Sequence, residues 1–203
     1  MTAKLTANDL TLIRGERCLF QDLEFALNGG ELLLLQGQNG SGKTSLMRAI
    51  AGMLNLQSGE VFWNGEPVSK QRQVFHGSMV WLAHRNGLKG DLTLVENLEF
   101  EKVLRPQSAL EPEHVFERLD VARLKRLPVR SLSAGQQRRV ALARMLLAEV
   151  PLWLLDEPFT NLDKEGRQLV LEITEEHLAS GGLCVMAGHQ EVELAATVKK
   201  VCL

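Results

Sequence analysis

The spacing of apolar positions changes along the chain from the strand period to the helical one and back to the strand period. Leu10 and Leu12, then Leu19, Leu23, Phe25 and Leu27, partly alternate with polar residues, which predicts strands, and Asn28-Gly29-Gly30 is a turn signal. The following Glu31-Leu32-Leu33-Leu34-Leu35-Gln36 is almost wholly apolar, the mark of a strand buried on both faces. A glycine-rich stretch leads into residues 45–53, where Leu46, Ile50 and Met53 keep helical spacing, and residues 59–63 predict another strand. Residues 93–127 are helical in character. Leu94-Val95, Leu98 and Val103 recur with the helical period, and Pro112-Glu113 opens a second helix carrying Val115, Phe116 and Leu119. A third helix is predicted over 134–149, and strand-like runs return at 152–155, 183–187 and 198–203. This pattern predicts an α/β fold: a parallel core interrupted by a helical insertion and preceded by an antiparallel β segment.

No repeat or Pro/Gly/Ser-rich linker divides the 203 residues, so a single domain over 1–203 is expected. Within it, residues 1–85 and 150–203 would form the core with its β subdomain, and 86–149 the helical subdomain. With 45% hydrophobic and 24% charged residues the chain can bury a core, which excludes disorder over most of its length. The 23 basic and 25 acidic residues nearly cancel, which argues against nucleic acid or an anionic lipid surface as the main partner. Cys18, Cys184 and Cys202 form no CxxC pair, so neither a disulfide framework nor a zinc site is implied, and a reducing compartment fits best. The start has no signal-peptide pattern, and no apolar run approaches the roughly 20 residues of a membrane helix. Any work at a membrane would need another protein as anchor.

Two segments carry chemistry. Gly37-Gln38-Asn39-Gly40-Ser41-Gly42-Lys43-Thr44 fits G-x-x-x-x-G-K-[ST] between a predicted buried strand and a helix. Glycines let backbone N–H groups turn inward around phosphate oxygens, and the helix presents its positive end to the anion. Lys43 would reach the β- and γ-phosphates of ATP, Thr44 would offer a hydroxyl to Mg²⁺, and Ser45 is placed to touch the α-phosphate. Further on, Leu152-Trp153-Leu154-Leu155 runs into Asp156 and Glu157. An acid at the C-terminal end of a buried strand is held where open α/β sheets bind ligands. Asp156 would hold Mg²⁺, directly or through a water, and Glu157 would accept a proton from the attacking water or orient it. A small-molecule kinase would not need that second acid.

Leu132-Ser133-Ala134-Gly135-Gln136-Gln137-Arg138-Arg139 opens the third predicted helix, with Ser133 as N-cap and Gly135 leaving the backbone open to a phosphate. It resembles the LSGGQ signature of ABC (ATP-binding cassette) ATPases, with Ala134 in place of one glycine. Thr160-Asn161-Leu162-Asp163 is similar to their D-loop, and His189, after Val185-Met186-Ala187-Gly188, to their switch histidine. The resemblance spans nearly the whole chain and implies a P-loop NTPase (RecA-like) core with an N-terminal antiparallel β subdomain and an inserted helical subdomain. It also implies an ATP hydrolase with catalytic Lys43, Glu157 and His189. Such domains pair head to tail, so the resemblance implies a homodimer in which Ser133, Gly135 and Gln136 face the partner's nucleotide and Asp163 crosses the interface.

Two positions depart from the family pattern. Arg14, just before Gly15, stands where an aromatic side chain usually stacks on adenine; a guanidinium can stack on a base, or Arg14 is simply a surface arginine. His84 follows Val80-Trp81-Leu82-Ala83 where a glutamine normally links Mg²⁺ and water to the membrane subunit, so His84 joins Thr44 and Asp156 as a metal-side candidate. His84, with Asn86-Gly87-Leu88-Lys89 and Leu92-Thr93-Leu94-Val95-Glu96-Asn97-Leu98, is similar to one branch, the haem-exporter ATPases of the cytochrome c maturation system. That likeness implies a peripheral subunit on the cytoplasmic face of a bacterial inner membrane, docked on membrane-spanning transporter subunits. There its hydrolysis would release a haem-loaded chaperone. No direct haem binding is expected, and His76, His114 and His177 are read as surface residues. The alternatives are a soluble ABC ATPase of iron–sulfur cluster assembly and an exporter ATPase for another cargo. A DNA-repair ABC ATPase does not fit, since only about 90 residues without sustained heptads separate phosphate loop and signature.

Overall fold

A computed structural model describes residues 3–104, 110–189 and 192–203, without the side chains of 102–104, so Val103 as a packing residue lies outside the described residues. Two sheets organise the chain. Strands β1 (Lys4–Arg14), β2 (Arg17–Asn28), β4 (Ser58–Trp63) and β5 (Glu66–Pro67) form an antiparallel sheet in the order β2-β1-β4-β5. Strands β3 (Glu31–Gln36), β6 (Met79–Leu82), β7 (Leu152–Asp156), β8 (Leu183–Ala187) and β9 (Thr197–Cys202) form an all-parallel sheet in the order β6-β7-β8-β3-β9.

The continuous apolar runs have a simple cause. Leu32 and Leu34 on β3, with Trp153 and Leu155 on β7, face a core shared with the helical region. Leu33 and Leu35, with Leu152 and Leu154, face a second core shared with the antiparallel sheet and helix α1 (Lys43–Ile50). Successive residues of a strand point to opposite faces, so a strand covered on both sides must be apolar throughout.

Between β6 and β7 lie helices α3 (Leu94–Leu104), α4 (Pro112–Arg118) and α5 (Ala134–Leu146), with 3-10 turns at Ala122–Leu124 and Val129–Ser131. Helix α3 starts with a capping box, in which Thr93 N–H donates to Glu96 (2.8 Å) and Glu96 N–H to Thr93 Oγ1 (3.2 Å). Val140, Ala141 and Leu142 of α5 sit in the same core as the sheet. Helix α1 ends at Ile50 and α5 at Leu146, each three residues short of expectation. Beyond α5, Glu149 takes φ +41°, which helical backbone cannot hold.

Helix α6 (Lys164–Ala179), helix α2 (Arg72–Gly77) and β6 are not among the elements expected from periodicity. The signal for α6 was present. Asp163 caps it by accepting from Gly166 N–H at 2.8 Å, and Val170, Ile173, Thr174 and Leu178 keep a buried helical stripe. Lys164, Glu165, Arg167, Glu172, Glu175 and Glu176 surround that stripe with charge and masked it.

Because the second sheet is all parallel, the C-terminal ends of β3, β6, β7 and β8 lie along one edge. The segments that leave them carry the phosphate loop, His84, Asp156-Glu157 and His189 respectively.

Candidate functional site

The phosphate loop runs from Gln36 at the end of β3 into Lys43, the first residue of α1. Gly37 has φ +150°, and a Cβ there would lie 2.5 Å from Ser41 Oγ and 2.7 Å from the Leu203 carbonyl, so only glycine fits. Lys43 is buried and folds back over the loop, its Nζ donating to the carbonyls of Gly37 (2.7 Å) and Gln38 (3.0 Å). An ammonium has three N–H groups, so one remains beyond those two carbonyls. The loop borders a cavity of about 330 Å³ lined by Asn39, Gly40, Gly42, Lys43, Thr44, Ser45 and Glu157, with Arg14, Arg17 and Leu19 from the first hairpin. Arg14 thus meets the phosphate loop across the cavity, and Arg17, which the motif reading passed over, stands beside it.

Asp156 ends β7 and is 3% exposed. Thr44 Oγ1 donates to its Oδ2 at 3.0 Å, which brings together the hydroxyl and the acid expected at Mg²⁺. Burial pushes the Asp156 carboxyl above the usual carboxylate range, against the hydrogen bond from Thr44, and neighbouring Glu157 adds to the rise. A cation at this spot would relieve that cost. The buried acid, the hydroxyl beside it and the cationic loop therefore fit a polyphosphate with its divalent ion.

Glu157 has φ +49°, an unfavourable conformation for a non-glycine residue, and its N–H donates to the Ala187 carbonyl at 2.9 Å. The turn lifts its carboxylate off the strand line and into the phosphate cavity. His84 Nδ1 lies 3.8 Å from Glu157 Oε2, and His189 Nε2 lies 3.7 Å from Oε1. Two imidazoles from two different strand ends therefore flank one carboxylate.

Ser133, Gly135, Gln136 and Asp163 are elsewhere. They line a separate cavity of about 210 Å³ with Asp120, Arg123, Arg139, Asn161 and Leu162, and no lining residue is common to the two cavities. Ser133 N–H donates to Gln136 Oε1 (2.9 Å) and Gln136 N–H to Ser133 Oγ (3.3 Å), a complete capping box for α5. Gly135 has a local reason to be glycine, since a Cβ there would lie 2.9 Å from the Asn161 carbonyl. Asp163 accepts from Gly166 N–H and from Arg139 Nη2 (3.3 Å); the first of these contacts, and after it Arg139, hold its carboxyl below the usual range.

Of the other histidines, His114 is exposed, as expected, and two have local contacts. His76 Nε2 faces the Ala51 carbonyl at 2.8 Å. His177, expected at the surface, is packed instead, with its ring stacked on Trp153 at 3.8 Å between centroids and burial pushing its pKa down to about 4. Sequence reasoning also missed Arg138, which is 2% exposed. Its signal was a cation on the apolar stripe of α5, three, four and seven residues before Ala141, Leu142 and Met145.

A parallel sheet with a phosphate loop after β3, an acid pair at the end of β7, one strand removed across β8, and a capped signature helix defines an ATP-binding cassette. Residues 20–160 match the family described as ABC transporter. The chain is 40% identical to the "Cytochrome c biogenesis ATP-binding export protein CcmA" of Pasteurella multocida, over 100% of this chain and 96% of that one. It is 42% identical to the protein of the same name from Vibrio parahaemolyticus, over 93% of each. Among solved structures, an "ATP binding subunit of ABC transporter" superposes with a TM-score of 0.81 at 26% identity, over 91% of this chain and 79% of that one. The chain belongs to the ABC transporter ATPase family and, within it, to the cytochrome c biogenesis ATP-binding export proteins.

Proposed function

We propose that this chain is the ATP-hydrolysing subunit of a membrane-bound haem exporter complex of cytochrome c biogenesis, working as a homodimer. The observation that carries the hydrolytic part is the Glu157 carboxylate, which opens into the same cavity as Lys43 and Thr44 and is flanked by His84 and His189. The printed names of the relatives support the cytochrome c part. No helix among the described residues is long and apolar enough to cross a membrane, so in this reading membrane-spanning partner subunits hold the chain at the cytoplasmic face.

Each residue has a task that its position allows. The N–H groups of residues 39–45 and the Lys43 ammonium bind the phosphates of ATP, and Lys43 exchanges loop carbonyls for β- and γ-phosphate oxygens. Thr44 and Asp156 hold Mg²⁺, which neutralises phosphate charge when bound. Glu157 receives the proton of the attacking water, and His189 and His84 orient that carboxylate and the water against the γ-phosphate. Arg14, which lines the same cavity, stacks on the base. Ser133, Gly135 and Gln136 bind the γ-phosphate held by the other copy, and Asp163 crosses between the copies. The water oxygen bonds to the γ-phosphorus as its bond to the ADP oxygen breaks, and departure of the cleaved phosphate removes the charge that both copies grip, so the pair opens. In the assembled complex that opening releases a haem-loaded chaperone.

The test is recovery of a tagged Glu157→Gln chain from detergent-solubilised membranes with ATP and Mg²⁺. We expect hydrolysis to fall roughly 10²–10⁴-fold with ATP binding kept, and an ATP-dependent dimer holding a multi-spanning membrane protein. Undiminished turnover would remove Glu157 from its role. A chain that stays monomeric and brings no multi-spanning partner would overturn the transporter reading.

A further inference from the structure

Arg138 is an almost fully buried cation that none of the motif assignments uses. A guanidinium has five N–H donors in a rigid plane, and here all five are engaged. Nε donates to the Pro158 carbonyl (3.2 Å), Nη1 to the Ala83 carbonyl (2.8 Å) and Asn86 Oδ1 (3.0 Å), and Nη2 to the carbonyls of Asp156 (3.2 Å) and Glu157 (2.8 Å). The acceptors are neutral and belong to two segments, the 83–86 loop that carries His84 and the 156–158 turn that carries Glu157. Holding a cation there is costly, and burial pushes the guanidinium down to about 10 despite the nearby charges of Asp156 and Glu157. An apolar side chain could fill the same space without that cost. It could not join the two segments to α5.

Two further observations point the same way. Glu157 holds a left-handed backbone, and Arg138 grips its carbonyl, so the strained residue is fixed from α5 as well as from Ala187. On the same helix, Arg144 Nη1 donates to the Gly87 carbonyl at 2.9 Å, so the loop around His84 is tied to α5 at both ends.

We propose that Arg138 is a positioning residue for hydrolysis. It acts through Glu157 and His84, holding the carboxylate at the phosphate cavity with the imidazole beside it, in register with the helix that Ser133 caps. Movement of α5 is thereby passed directly to the catalytic carboxylate. This proposal rests on the hydrolytic reading above. Lysine cannot substitute, because an ammonium has three donors and no planar fork to reach both segments at once.

The test is Arg138→Lys in the full chain, read by steady-state hydrolysis, equilibrium binding of a fluorescent ATP analogue and thermal unfolding. We expect kcat to fall roughly 10–100-fold, the scale of a small misplacement of reacting groups. KM and analogue affinity should hold within about twofold, with cooperative unfolding retained. Unchanged kcat, or affinity falling in step with kcat, would overturn the proposal. Should Arg138→Lys not fold, Asn86→Ala removes one acceptor on the loop side. It should lower kcat about 2–5-fold at constant KM, the worth of one hydrogen bond, and an unchanged kcat would again overturn the role. A parent chain that binds ATP without hydrolysing it would bring down the hydrolytic reading and this proposal together. An active parent with an unaffected Arg138→Lys variant would bring down this proposal alone.

Discussion

The phosphate cavity and the signature cavity lie in one chain but are built on opposite terms. Around the phosphate loop, charge is held at a cost. Lys43 is buried on two carbonyls, and Asp156 is 3% exposed with its carboxyl pushed up by burial. Around the signature, polar groups satisfy one another. Ser133 and Gln136 close a capping box, Asp163 caps α6, and its carboxyl is pulled down by the Gly166 N–H. The first region is poised for a ligand it does not yet share. The second is satisfied within the chain, its helix end closed by its own capping box. In the proposed homodimer the costly region would take the nucleotide first and the satisfied signature face of the other copy would close on it.

Removing the central cation should have the largest effect. Lys43→Ala is expected to lower ATP affinity and hydrolysis at least about 10²-fold, measured by equilibrium binding and phosphate release. Normal turnover would remove the electrostatic account of the phosphate loop. Ser133→Ala probes the other region and should have a smaller, differently shaped effect. Loss of the cap should cost roughly 0.5–2 kcal/mol, seen in thermal unfolding. ATP-dependent dimerisation of the Glu157→Gln chain should weaken while ATP binding by the monomer is retained. If monomer binding fell as it does for Lys43→Ala, the signature would share the cavity within one chain and the contrast between the regions would fail.

The smallest effect tests the cost at Asp156. With its folded-state pKa raised, the carboxyl contributes stability that is fully present below its unfolded pKa and lost as pH rises through the folded value. Asp156→Asn should therefore raise Tm of the metal-free, nucleotide-free chain at pH 7.5 by roughly 2–4 °C, and the gain should shrink as pH falls into the acid range. Asp163 has the opposite sign: its contribution is present above its unfolded pKa and is lost as pH falls through the lowered folded value. A lower Tm for Asp156→Asn at pH 7.5 would show that burial is not the dominant influence on this carboxyl.

Much of this was legible in the sequence, and the gaps have physical causes. The apolar runs at Leu32–Leu35 and Leu152–Leu155 announced strands buried on two faces, because both faces had to be dry. Helix α6 escaped notice because its buried stripe, although helically spaced behind an Asp163 cap, is narrow and ringed by charges. His177 looked like a surface histidine because nothing local shows that Trp153, 24 positions earlier, stacks on it.

The order of motifs along the chain was enough to determine the class of site, because phosphate and metal chemistry require particular groups at short, fixed spacing. Lys43, Thr44, Asp156 and Glu157 could be picked out as candidates without coordinates for that reason. Which groups share a cavity was decided only by the fold. The parallel sheet brings the ends of β3, β6, β7 and β8 to one edge, so His84 and His189 reach Glu157 from positions 105 residues apart, while Ser133 and Asp163 meet on another face. The sequence places Arg138 on the apolar stripe of α5, but what it binds was decided by the tertiary structure. Its five acceptors come from segments 55 and about 20 residues away, and no local pattern encodes a bond whose partner is fixed by packing.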